Sequence, residues 1–97
     1  MQKGRQKNDV MLLSERYVAL LLIRLLDSTD PTKLSDLLDI VTSYRTLESL
    51  TNRMADEGMI TKKLERPSYV TTFLELTPKG REVAERLKEA VEIFQGP

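Results

Sequence analysis

The 97-residue chain carries 15 Lys plus Arg against 15 Asp plus Glu, so its formal net charge is zero. It has no Cys and no His, which excludes disulfides, thiolate chemistry, His or Cys metal sites and Ser-His-Asp triads. A neutral total also excludes a polycationic coat but not a charged face, because the field follows placement and not the sum.

Hydrophobic residues make up 40% of the chain, with four Gly and four Pro, which fits one folded domain with a single thin core. The longest apolar run, Val18 to Ile23, ends at Arg24. That is far short of the ~20 residues a membrane span needs. Lys3, Arg5 and Lys7 precede only a short apolar stretch, so no signal peptide is read. The expectation is a soluble, cytoplasmic protein without metal, cofactor or membrane partner.

Residues 1–13 read as a flexible basic arm, and the folded domain as 14–95. Ser14 is the expected N-cap of a first helix, with Glu15 in its first turn. Apolar residues crowd that helix on two faces, and Asp27-Ser-Thr-Asp-Pro31 ends it. Thr32-Lys-Leu34 is a strand stub. Ser35 to Ile40 is a short second helix capped by Ser35, and Val41-Thr42 is a break. A third helix spans about 43–57, with Leu47, Leu50 and Met54 on one face and Gly58 just past its end.

The period then changes. Met59 to Glu65 and Tyr69 to Leu76 read as a β-hairpin turning at Arg66-Pro67-Ser68, with Val70, Thr72, Leu74 and Leu76 on one face. Thr77 as N-cap and Pro78 at the first helical position open a last helix over about 78–95.

Helix, strand stub, helix, break, helix, hairpin, helix is the element order of a winged helix-turn-helix: mainly α with a small β wing. Arg45 to Ile60, ending in Met54, Gly58, Met59 and Ile60, resembles the recognition-helix signature of prokaryotic winged-helix regulators. Leu74-Glu-Leu-Thr-Pro-Lys-Gly-Arg-Glu-Val83 is similar to the exit of their third strand. Both stretches look like HxlR-like and MarR-like transcriptional regulators, and the hairpin with Pro67 and Tyr69 leans towards the former. The resemblance covers about residues 14–94. MarR-like chains are usually longer, with extra dimerisation helices. Thiol sensing, known among HxlR-like members, is not carried over to a chain without Cys.

The resemblance implies a homodimer on double-stranded DNA, with residues 43–57 in the major groove and a wing, residues 59–76, on backbone or minor groove. A groove-reading helix presents small, hydrogen-bonding or cationic residues near its start. Thr42, Ser43, Tyr44, Arg45, Thr46, Ser49, Asn52 and Arg53 lie off the apolar stripe, and 40–47 contains no acid. Arg45 suits a guanine edge and Asn52 an adenine edge. Thr42 and Ser43 stand where helix N-terminal amides hold a phosphate. Glu48 is expected to bridge to Arg45 or Asn52. Lys62, Lys63 and Arg66 are the wing's cations, against the plainer reading of edge-strand lysines that block aggregation.

Tyr17 and Leu21 of the first helix, with Val83, Leu87, Ala90, Val91 and Phe94 of the last, are expected to pair two subunits. The resemblance also allows a small-molecule effector between these helices, but no residue names one. No Gly-rich phosphate loop or Lys–carboxylate constellation supports an enzyme. Asp30, Asp36 and Asp39 read as a solvated face with capping roles. The alternative function is a winged-helix module that binds protein within a transcription or chromosome complex, motivated by the zero charge and by Glu48.

Overall fold

The computed structural model describes residues 10–65 and 71–96. Arg66 and the turn at Pro67, with Tyr69, Val70 and the cations Lys3, Arg5 and Lys7, lie outside the described residues.

Helix α1 (Val18–Leu26) buries Val18, Leu21, Leu22 and Leu25, an i, i+3, i+4, i+7 set that faces the core. It does not start at Ser14. A 3-10 turn, Val10–Ser14, comes first, and the Ser14 hydroxyl donates back to the Met11 carbonyl at 2.8 Å. Tyr17 occupies the N-cap of α1 with φ 81°, the left-handed region that bulky residues rarely adopt. The reason is packing. Leu12 and Val18 are both buried, so the five residues between them must carry the chain from the 3-10 turn into α1 with both side chains kept on the core. Tyr17 makes that turn while its ring rests on the core and under the Arg16 guanidinium, 5.0 Å from the ring centre. Packing therefore begins by Leu12, which corrects the expected end of the arm at residue 13.

Strand β1 (Thr32–Lys33) leads into a second 3-10 helix, Leu34–Asp39, where an α-helix capped by Ser35 was expected. Lys33, extended, stands at its N-cap and no side chain caps it. Six residues are too few to nucleate an α-helix cheaply, and burial of Leu34 and Leu37 holds the tighter form instead. Arg24 of α1 pins this helix. Its guanidinium donates to both Asp39 carboxylate oxygens, at 3.1 and 2.9 Å, and to the Asp36 carbonyl at 3.2 Å.

Helix α2 (Tyr44–Asp56) buries Leu47, Leu50, Thr51 and Met54 and stops at Gly58, whose φ of 78° suits glycine. Strands β2 (Ile60–Glu65) and β3 (Thr71–Leu76) pair antiparallel from Ile60↔Leu76 to Glu65↔Thr71. Strand β1 joins the other edge of β3, giving a three-stranded sheet of order β1-β3-β2.

Helix α3 (Pro78–Gln95) starts where Thr77-Pro78 predicts. The Thr77 hydroxyl accepts from the Gly80 amide at 2.9 Å and donates to the Gly58 carbonyl at 2.6 Å. Its first half packs on α1 through buried Ala84 and half-buried Val83 and Leu87. From Ala90 onward every described residue of α3 is exposed. No helix of the described residues is long and apolar enough to cross a membrane.

Candidate nucleic-acid interface

Burial of Leu47, Leu50 and Met54 fixes which way α2 faces. Arg45, Ser49 and Asn52, spaced i, i+4, i+7, then form a line on the opposite, exposed side. Thr42, Tyr44 and Thr46 are exposed around the start of the helix, with Tyr44 49% accessible. Ser43 is the N-cap: its Oγ accepts from the Thr46 amide at 3.3 Å, so one of the free amides at this end is already satisfied. Arg45 has no ion-pair partner among the described residues.

The remaining candidates separate. Arg53 lies off the exposed line, half-buried, and reaches Glu15 at 3.5 Å. It ties α2 to the segment before α1 and does not stand free for a phosphate. Lys62 and Lys63 do not act together, because successive strand residues point to opposite faces. Lys62 shares the inner face with buried Ile60, turned towards α2. There its ammonium donates to Asn52 Oδ1 at 2.7 Å and to Thr51 Oγ1 at 3.0 Å. Lys63 shares the outer face with Thr61, Glu65, Phe73 and Glu75, lining a shallow 340 Å³ depression with Asp30 and Pro31. Arg66 lies outside the described residues.

One expectation is corrected by this geometry: Glu48 forms no bridge to Arg45 or Asn52 among the described residues, and its charge acts on Lys62 instead. The Asn52 amide oxygen, expected to help read adenine, accepts from Lys62. Burial of the Lys62 ammonium lowers its pKa below the ordinary 10.5, and the Glu48 carboxylate partly offsets that by favouring the charged form.

The expected pairing surface divides in the same way. Leu21 is 0% exposed within the chain and belongs to its own core, so it offers nothing to a partner. Tyr17, Val83 and Leu87 pack against that core. Ala90, Val91 and Phe94 remain outward, with Phe94 89% exposed. Sequence reading missed Ile93, 79% exposed beside Phe94, and Leu20, 56% exposed on α1. Ile93 falls off the helical stripe that Val83 and Leu87 define, and that departure was the available signal. It also missed Lys79, whose ammonium donates to the Glu57 carbonyl at 2.7 Å and so caps the C-terminal end of α2.

No family model and no curated protein matches the chain. Solved structures do. The chain is similar to a transcriptional regulator homologue protein from Pyrococcus horikoshii OT3, at 20% identity over 86% of this chain and 83% of that one, with a TM-score of 0.69. It is also similar to a protein from Porphyromonas gingivalis W83 described as a MarR-family transcriptional regulator. Here identity is 18% over 94% of this chain and 93% of that one, again with a TM-score of 0.69. Likeness of backbone at such low identity speaks for fold, and together with the element order and the α2–hairpin arrangement it makes the chain a winged helix-turn-helix domain.

Proposed function

We propose that this chain is a sequence-specific transcriptional regulator that binds double-stranded DNA as a homodimer, with α2 in the major groove and the β2–β3 hairpin along the backbone or minor groove. The observation that carries the reading is the start of α2. An exposed, acid-free stretch, residues 42–46, presents an Arg45 that has no partner among the described residues, with Ser49 one turn on, in a fold shared with transcriptional regulators. Phosphates would be met by the helix start and by wing cations, and base edges by Arg45 and its neighbours. Neutral overall charge fits weak nonspecific affinity per subunit, with the second copy supplying the rest by avidity. A cytoplasmic location accompanies this role.

Selection of bound duplexes from a random pool tests the proposal, because it reports binding, site sequence and half-site spacing together. Half-sites about one helical turn apart are expected. Arg45→Ala should cost roughly 1–3 kcal/mol on the selected site and relax preference at one base pair. A pool with no enrichment, joined to binding that ignores salt, would overturn the reading. A stoichiometric protein partner recovered alongside that result would favour a protein-interaction module, for which exposed Glu48 on the same helix is the motivating residue.

A further inference from the structure

Lys62 stands on the hairpin and Asn52 on α2, ten residues apart in sequence, and their side chains meet at 2.7 Å. An ammonium has only donors to offer, so the Asn52 amide must turn its oxygen towards Lys62 and its NH2 away. Thr51 completes the contact. It is 0% exposed, its hydroxyl donates to the Leu47 carbonyl at 2.9 Å, and its oxygen accepts from Lys62 at 3.0 Å. Glu48, one turn earlier on the same helix, supplies a compensating negative charge. The ammonium is thus partly desolvated and twice bonded, whereas the side chains of Lys63, Lys33 and Arg45 are exposed.

Resting on the DNA-binding reading above, we infer that Lys62 is a positioning residue and not a phosphate contact: through Asn52 and Thr51 it clips the wing to the recognition helix and withdraws Asn52 from base readout. The clip joins two elements that would each approach a different part of the duplex. Its effect is to present helix and wing at one fixed spacing. Base discrimination then falls to Arg45, Ser49 and the residues at the helix start. Bidentate reading of adenine needs the amide oxygen and NH2 aimed together at the base, and the clip holds the oxygen elsewhere.

Two measurements on the full chain test this. The first needs no DNA: urea unfolding of wild type, Lys62→Met, Asn52→Ala and the double variant. The clip predicts coupling, with the double variant's unfolding constant departing at least about threefold from the product of the single effects. Independent effects would overturn the clip. The second measures binding to a mixed-sequence duplex over a range of salt. Each lost phosphate contact lowers the slope of log K against log salt by about 0.9. Lys62→Met should weaken binding with the slope unchanged, whereas Lys63→Met, at the exposed cation of the wing, should lower it. A slope drop of that size for Lys62→Met would make Lys62 a phosphate ligand and overturn the inference. So would a changed base preference for Asn52→Ala in duplex selection. Failure of wild type to bind any duplex would remove the DNA-binding reading and the positioning role that rests on it, while coupling in the first measurement would still establish the contact.

Discussion

At the scale of single residues, Lys62 shows how one contact redirects a whole reading. Its neighbours in sequence, Thr61 and Lys63, suggest an exposed basic strand, and period-2 alternation alone places Lys62 and Lys63 on opposite faces. What alternation cannot say is which α2 residue the inner lysine meets, because that depends on how the hairpin is laid against the helix. Burial lowers the Lys62 pKa from 10.5, so the unfolded chain holds this proton more tightly than the folded one. Between the lowered value and 10.5 the unfolded state therefore binds more protons, and stability from this residue rises with pH across that window. Lys88 has the opposite sign. Its hydrogen bond to Asp27 raises its pKa, and the stability it contributes is lost as pH climbs above 10.5. Comparison with Lys62→Met cancels Lys88 and the other groups that do not interact with Lys62. The stability of wild type relative to that variant should increase from neutral pH to just below 10.5 in urea unfolding, and a flat or falling difference would show that the ammonium is not desolvated by folding.

At the scale of elements, legibility follows the range of the deciding interaction. The start of α2 at Ser43, its end at Gly58 and the start of α3 at Thr77-Pro78 were all readable, since each is settled by a cap or a turn within four residues. The start of α1 was not. Ser14 has cap chemistry, yet burial of Leu12 commits it to a 3-10 turn and moves the N-cap to Tyr17. The Ser35 cap failed for a similar reason, with Leu34 drawn into the core one residue earlier. Of the candidate interface, the exposed line on α2 was legible from helical period, while the Lys62–Asn52 and Arg53–Glu15 pairings were not, being set by tertiary approach. The Leu-Thr-Pro-Lys-Gly stretch carries a tertiary constraint of its own. A Cβ placed on Gly80 would stand 1.8 Å from the Met59 carbonyl oxygen, a backbone atom that no rotamer change can move. Thr77 holds α3 at this distance, its amide donating to that same Met59 carbonyl at 3.0 Å and its hydroxyl to Gly58. Gly80→Ala should therefore force α3 away from the α2–β2 junction, at the upper end of the roughly 1–3 kcal/mol typical of overpacking or beyond. Chemical denaturation checks it, and a loss below about 0.5 kcal/mol, the level of ordinary surface changes, would show that α3 does not seat against Met59.

At the scale of the molecule, the open question is what the far end of α3 is for. An 18-residue helix is ~27 Å long, and among the described residues only its first half meets the core. Beyond Leu87 the outward residues include Val91, Ile93 and Phe94, with exposures of 38, 79 and 89%. Scattered exposed apolar residues are ordinary, but three within four positions at one helix end are the part of α3 we propose as a contact surface. A second copy is the partner in the homodimer proposed above, and a two-fold arrangement would set α3 ends from both subunits against each other and against apolar surface such as Leu20. Replacing Ile93 and Phe94 together by Asp should leave the fold intact, because neither residue contributes to the buried core. It should nevertheless shift the protein from dimer to monomer in sedimentation at micromolar concentration. The same double variant should bind a duplex carrying one half-site as wild type does and lose affinity selectively for two, since avidity disappears while each recognition helix is unchanged. If the variant sediments as wild type does, the end of α3 is not the subunit interface. If it turns monomeric yet keeps full preference for paired half-sites, the two recognition helices are coupled through the DNA and not through the protein.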